Sequence, residues 1–261
     1  MKVRRLNLYV AILLACSSFA QAQQTLAIDE VLSRLIAYSK DYRTKLPSLE
    51  CDESIVSQQV KGDKVKWEVK VEAKLRQVRD PNHPTEFNDS YTFKSIDGHP
   101  PKARFKLPYF VNGAFANGIG FAAGDQRECY DYTLSREEGG TILRLELTAK
   151  SASSAPACKD VFADYHKIVL VDADTGIVKH ITRSMSPDAA RKYREVIFAS
   201  IDYAPQNLGD LTLWLPVRVE SHNENGERRM SAIFSNYHRY TGESRMLPGI
   251  EELPATDAPK P

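Results

Sequence analysis

The sequence predicts a mainly β (α+β) fold: a curled antiparallel sheet, or half-barrel, of about ten strands wrapped on one N-terminal helix. Three observations predict it. Between Lys64 and Arg76 the chain alternates without error. Val65, Trp67, Val69, Val71, Ala73 and Leu75 take one side, and Lys64, Lys66, Glu68, Lys70, Glu72, Lys74 and Arg76 take the other. Side chains switch faces at each strand residue, so this strand has one dry and one wet face, which a parallel sheet covered on both sides does not offer. Long helical periodicity is confined to one stretch near the N-terminus, and turn signals cut the rest into runs suited to hairpins. The dry face needs a cover, and the nature of that cover is the functional question.

The chain opens with Lys2, Arg4 and Arg5, a short apolar run from Leu8 to Ala15, and the A-x-A site Ala20-Gln21-Ala22. These are the parts of a signal peptide over residues 1–22, cleaved after Ala22. The apolar run is too short to span a bilayer. A second reading takes Leu13-Leu14-Ala15-Cys16 as a lipobox, with Cys16 lipidated in an outer-membrane lipoprotein. Either way the protein is expected outside the cytoplasm, periplasmic or secreted, where disulfides persist. The formal charge of +1 moves to about −2 when three cations leave with the leader. With no basic block and no basic patch interleaved with aromatics, nothing points to nucleic acid.

Thr25 to about Lys45 reads as the long helix, with Ile28, Val31, Leu32, Leu35, Ile36 and Ser39-Tyr42 as its apolar stripe. Asp29 and Glu30 suit the positive end of its dipole, and Pro47 stops it. Strands are then expected over 51–60, 64–77, 86–96, 127–136, 141–149, 166–171, 177–185, 193–203, 211–219 and 228–240. The turn signals between them are Gly62-Asp63, Asp80-Pro81, Asp97-Gly98, Gly139-Gly140, the Asx-type turn Asp172-Ala173-Asp174-Thr175-Gly176, and Asn225-Gly226. Pro216 within a strand implies an edge or a bulge. Residues 23–250 are long enough for a full core and read as a single domain; 251–261 is a Pro-rich tail expected to be disordered.

Cys51, Cys129 and Cys158 remain after cleavage. An odd count predicts one bridge and one free thiol. The expected bridge is Cys129–Cys158, tying a strand start to the loop after its hairpin, with Cys51 a buried thiol.

One segment breaks the pattern. Phe105 to Gly124 is rich in glycine and aromatics and has no charge after Lys106. It reads either as a flap over an apolar cavity or as a plug that completes the core. On the flap reading Tyr109, Phe110, Phe115 and Phe121 join Trp67, Val69 and Val71 as the residues lining a ligand.

Signatures of catalysis are absent. The six histidines are scattered, with no H-E-x-x-H and no C-x-x-C, so no metal site is expected and no cofactor. Gly242-Glu243-Ser244-Arg245 lacks the second glycine of a nucleophile elbow. His166 and His180 are the pair that a hairpin could bring close.

Several segments, with the helix and the export signal, carry a resemblance. They are Leu46-Pro47, Cys51, Asp174-Thr175-Gly176, Asp202-Tyr203-Ala204-Pro205, Leu215-Pro216 and Phe234-x-Asn236-Tyr237-x-Arg239-Tyr240. Together they resemble a family of exported bacterial proteins and, more distantly, the LolA, LolB and RseB superfamily of half-barrels. That resemblance implies a periplasmic domain with an apolar concavity, in a group whose members carry or sense acyl chains. The leading expectation is a non-enzymatic binding or carrier protein for a lipid, acyl chain or other apolar ligand. A structural envelope domain that binds a protein partner stands second, and a hydrolase third.

Overall fold

The computed structural model describes residues 28–83, 86–102, 124–137, 140–150, 158, 166–185, 198–223 and 226–240. Helix α1 covers 28–45. The strands are β1 (Leu49–Lys61), β2 (Lys64–Arg79), β3 (Phe87–Ile96), β4 (Tyr130–Arg136), β5 (Ile142–Ala149), β6 (His166–Asp172), β7 (Val178–Ser184), β8 (Phe198–Asn207), β9 (Thr212–His222) and β10 (Arg228–Arg239). A 3-10 helix, η1 (Gly124–Cys129), precedes β4.

All ten strands form one antiparallel sheet in the order β3-β2-β1-β10-β9-β8-β7-β6-β5-β4. It consists of two meanders, β1–β3 and β4–β10, joined by the pairing of the first strand with the last. The sheet is not closed: β3 and β4 are its edges, although they are consecutive in the chain. The polypeptide between them therefore links the two rims.

The face that α1 covers holds the core. Leu32, Leu35 and Tyr42 of α1, with Leu46 just after it, are almost fully buried. They join one cluster with Ile55 of β1, Val71 of β2, Leu145 of β5, Val169 of β6, Ile181 of β7, Leu215 of β9 and Ala232 of β10. Residues of one helix and of seven strands thus share a single buried cluster, as expected where a sheet curls around a helix. Polar contacts fix the helix at both ends. Near its N-terminus Asp29 pairs with Arg127 of η1, and Arg34 donates to the Ala173 carbonyl in the β6–β7 turn. At its C-terminus Arg79 of β2 donates to the carbonyls of Arg43, Thr44 and Leu46, taking up orphan acceptors of the last turn.

The β6–β7 turn is the Asx turn that its sequence implies. Asp172 Oδ1 accepts from the Thr175 amide at 3.0 Å and the Thr175 hydroxyl at 2.7 Å. Gly176 (φ +71°) passes so close to α1 that a Cβ there would stand 3.0 Å from the Arg34 carbonyl carbon. Pro216 lies at a bulge, where the β8–β9 register shifts between Asp202 and Tyr203.

Four expectations need correction. Ile36, assigned to the apolar stripe, is 43% exposed, because the covered arc of α1 runs through Val31, Leu35, Ser39 and Tyr42 instead. The dry face of β2 is dry only from Val69 onward. The expected strand 127–136 begins as η1 and becomes extended only at Tyr130. The strand expected over 193–203 runs further: β8 continues through Ala204 and Pro205 to Asn207. Of the Asn225-Gly226 turn, only Gly226 lies among the described residues.

Candidate functional site

The inner face of β1, β2 and β3 combines apolar surface with polar groups that lack partners. By strand alternation Cys51, Glu53, Ile55 and Ser57 of β1 point inward, and all are buried. On β2 the inward row is Trp67, Val69, Val71, Ala73, Leu75 and Gln77. Register places Phe93 opposite Ala73, Tyr91 opposite Leu75 and Asp89 opposite Gln77 on edge strand β3. Phe87, Asp89, Tyr91 and Phe93 are half-buried, so the inner row stays partly open at this rim. The Tyr91 and Phe93 rings stack with centroids 6.4 Å apart.

Glu53 stands out among these residues. It is 2% exposed, and its Oε2 has no hydrogen-bond partner. Burial, then the charge of Asp89, pushes its carboxyl up to about 8. Burial also raises Asp89, although Gln77 Nε2 donates to its Oδ1 at 3.0 Å. The other amide atom of that side chain, Gln77 Oε1, is buried without a partner. Above them on α1, the hydroxyls of Tyr38 and Tyr42 are likewise buried and unpartnered. Burial and the neighbouring Glu53 charge raise the Cys51 thiol as well, which makes it a poor nucleophile.

The outer face differs in kind. Glu50 of β1 is held by Lys74 (2.5 Å), Arg76 (2.7 Å) and His238 (3.0 Å). Burial alone would raise its carboxyl, but hydrogen bonds from these three side chains and the charge of Lys74 outweigh that and bring it down to about 2. His180 does not meet His166, which pairs with Ser184. It contacts Asp202 at 2.6 Å and Thr182 at 2.8 Å. A groove of about 420 Å³ lies across β1, β10, β9 and β8, lined by Gln58, Glu220, Arg229 and the stacked rings of Phe198 and His222. Among the described residues, no group of three or more His, Cys, Asp or Glu could hold a metal ion, and no helix is long and apolar enough to cross a membrane.

Of the residues expected to line a ligand, Val69 and Val71 belong to the buried core, while Trp67 is 38% exposed on the same side of β2. Tyr109, Phe110, Phe115 and Phe121 lie outside the described residues. The Cys129–Cys158 bridge is present, with Cα atoms 5.4 Å apart, and Cys51 is the buried free thiol. Sequence reasoning missed Glu53, Gln77 and Asp89. A signal existed for Glu53, since it shares the inward phase of β1 with Cys51 and Ile55.

No family model matches the chain, and no curated protein matches it. Solved structures do overlap with it. A DUF1329 family protein from Desulfovibrio piger aligns at 12% identity and a TM-score of 0.44, covering 85% of this chain and 95% of its own. A LolA superfamily protein from Nitrosomonas europaea aligns at 12% identity and a TM-score of 0.37, covering 79% of this chain and 92% of its own. MucB aligns at 13% identity and a TM-score of 0.28, covering 85% of this chain and 63% of its own. These names include the LolA superfamily, to which the sequence bears a distant resemblance.

Proposed function

We propose that the protein is an exported binding or carrier protein that holds a lipid, acyl chain or other apolar molecule against the inner face of its sheet. One observation carries this reading: the apolar inner row of β2 runs on past the core. Val69 and Val71 are buried there, but Trp67 and Val65 on the same side are 38% and 52% exposed. Large apolar side chains left open beside a concave apolar face are typical of a ligand surface. In this reading Trp67, Val69 and Val71 line the ligand at the described rim. Tyr109, Phe110, Phe115 and Phe121, on the polypeptide that joins the two edge strands, complete the lining. The signal over residues 1–22 delivers the protein to the periplasm, where such a ligand is met.

Native mass spectrometry of protein purified from the envelope without detergent tests the reading. The expected result is a bound apolar mass that organic extraction removes. No bound mass, together with no uptake of a fluorescent fatty acid by the extracted protein, contradicts it. A second reading, a partner strand docking on an edge, has one observation in its favour. Among the described residues β3 and β4 each pair with one strand only. Protection of β3 or β4 amides by a protein partner and not by lipid would select it.

A further inference from the structure

We propose that the groove across the outer face of β1, β10, β9 and β8 is a second binding site, for a small aromatic carboxylate whose acid group pairs with Arg229. It lies on the opposite side of the sheet from the apolar inner row, and it stands whether or not that row holds a lipid.

Strand register builds the groove from two neighbouring rows of outward side chains. One row crosses the sheet as Gln58, Arg229, His222 and Phe198, each opposite the next on the adjoining strand. The other crosses as Val56, Ser231 and Glu220. Both rows alternate along their strands with Ser57, Met230 and Ser221, which point inward and are buried. Three steps between strands give the groove a length of about 14 Å. Its volume of about 420 Å³ falls within the range of small-molecule sites.

Three features fix the class of ligand. The first is a cation without an acid. Arg229 Nε donates to the Gly226 carbonyl at 2.9 Å, which anchors the guanidinium by one edge. Among the described residues its two terminal nitrogens have no hydrogen-bond or ion-pair partner. The acids at the margins of the groove are already held, Glu220 by Arg218, and Glu68 by Gln58 at 2.6 Å and Lys70 at 3.4 Å. A carboxylate matches the planar fork of the open guanidinium, whereas an ammonium ligand would be repelled by it. The second is a flat apolar wall. Phe198 and His222 stack with centroids 4.7 Å apart and ring planes 13° apart, and Val56 lines the same groove. An aromatic ring is the apolar group best suited to pack beside such a stack. The third is a spare donor. The Ser231 hydroxyl, two residues from Arg229 on the same face of β10, makes no hydrogen bond among the described residues and can donate to a carboxylate.

Calorimetric titration of 2-naphthoate into the delipidated mature protein tests the site. We expect saturable binding at least about tenfold tighter than that of the uncharged 2-naphthylmethanol, the difference that a forked ion pair supplies. Hexanoate, which has the acid but no ring, should bind at least about fivefold more weakly than the naphthoate. Decanol, an uncharged competitor for the inner face, should leave naphthoate binding unchanged. Arg229→Gln should remove at least about tenfold in affinity, and Arg229→Lys, which keeps the charge without the fork, should recover only part of it. Ser231→Asp puts an acid beside Arg229 and should weaken binding in the same direction, which guards against local misfolding of the first variant. Uptake of a fluorescent fatty acid should be the same in Arg229→Gln as in the parent. Equal affinity for the acid and the alcohol overturns the role of Arg229, and equal affinity for hexanoate overturns the aromatic class. Naphthoate binding that survives Arg229→Gln and Ser231→Asp, or that decanol displaces, overturns the placement in the groove. No saturable binding up to millimolar naphthoate overturns the site altogether.

Discussion

Arg79, near the end of β2, donates to the backbone carbonyl of Arg43 at 3.0 Å and so ties the last turn of α1 to the sheet. The same guanidinium reaches the Thr44 carbonyl at 3.2 Å and lies 4.7 Å from the centre of the Phe87 ring. A helix end presents carbonyls with no intrahelical partner, and a planar cation with several donors can serve more than one of them. Arg79→Met keeps much of the aliphatic bulk and removes the donors. Thermal unfolding should report a loss of about 2 kcal/mol, in the range of hydrogen bonds to charged groups. Arg79→Lys should recover only part of it.

The other end of the helix depends on a glycine. Gly176 combines φ +71° with a 3.0 Å approach of its missing Cβ to the Arg34 backbone. Gly176→Ala therefore meets both backbone strain and a steric clash, while its hydrogen bonds stay in place. We expect a loss of about 1–3 kcal/mol on denaturant unfolding. Gly62, also at positive φ but with nothing within 4 Å of its Cβ position, should lose less when changed to alanine.

Glu53 makes stability depend on pH. Its folded value near 8 lies above the ordinary carboxylate value of 4.5. Between those limits the folded state holds a proton that the unfolded chain has released. Stability is thus full below about 4.5 and declines as pH rises toward 8, by an amount on the order of a few kcal/mol. Glu53→Gln should flatten the melting temperature over that range and raise it at pH 8. Equal pH slopes for the two proteins contradict this.

Much of the fold was legible because its signals are local. The alternation of β2, the helical spacing of Val31, Leu35 and Tyr42, and the Asx turn at Asp172 each follow from neighbours a few residues away. The pairing of β1 with β10 joins segments about 180 residues apart, and no local pattern announces it. Periodicity also tells which way a side chain points but not whether anything lies over it. Val65 and Trp67 share the phase of Val69 and yet remain exposed, and Ile36 sits at helical spacing just outside the covered arc of α1. At the candidate site Glu53 was visible as an acid in an apolar phase, whereas Asp89 and Gln77 are brought opposite each other only through the β2–β3 register.

The cysteines should behave unequally. The bridge joins positions separated by 29 residues, a closure expected to contribute about 3–4 kcal/mol through the unfolded chain. Reduction of native protein should lower its melting temperature accordingly. Native unreduced mature protein should leave a thiol reagent unconsumed, since Cys51 is buried and its thiol is pushed upward. Unfolding without reduction should reveal one thiol, and three after reduction.

The two tryptophans allow a direct test of where a ligand lies. Trp67 points inward with Val69, whereas Trp214 of β9 alternates out of phase with the buried Leu213 and Leu215 and packs under Lys179, 3.3 Å above its ring. An alkyl chain brominated near its middle quenches an indole that it touches. Titrated into the delipidated protein, it should quench Trp67 fluorescence in Trp214→Phe and leave Trp214 fluorescence unchanged in Trp67→Phe. Saturable quenching of Trp214 alone, or of neither, would contradict a ligand held against the inner face.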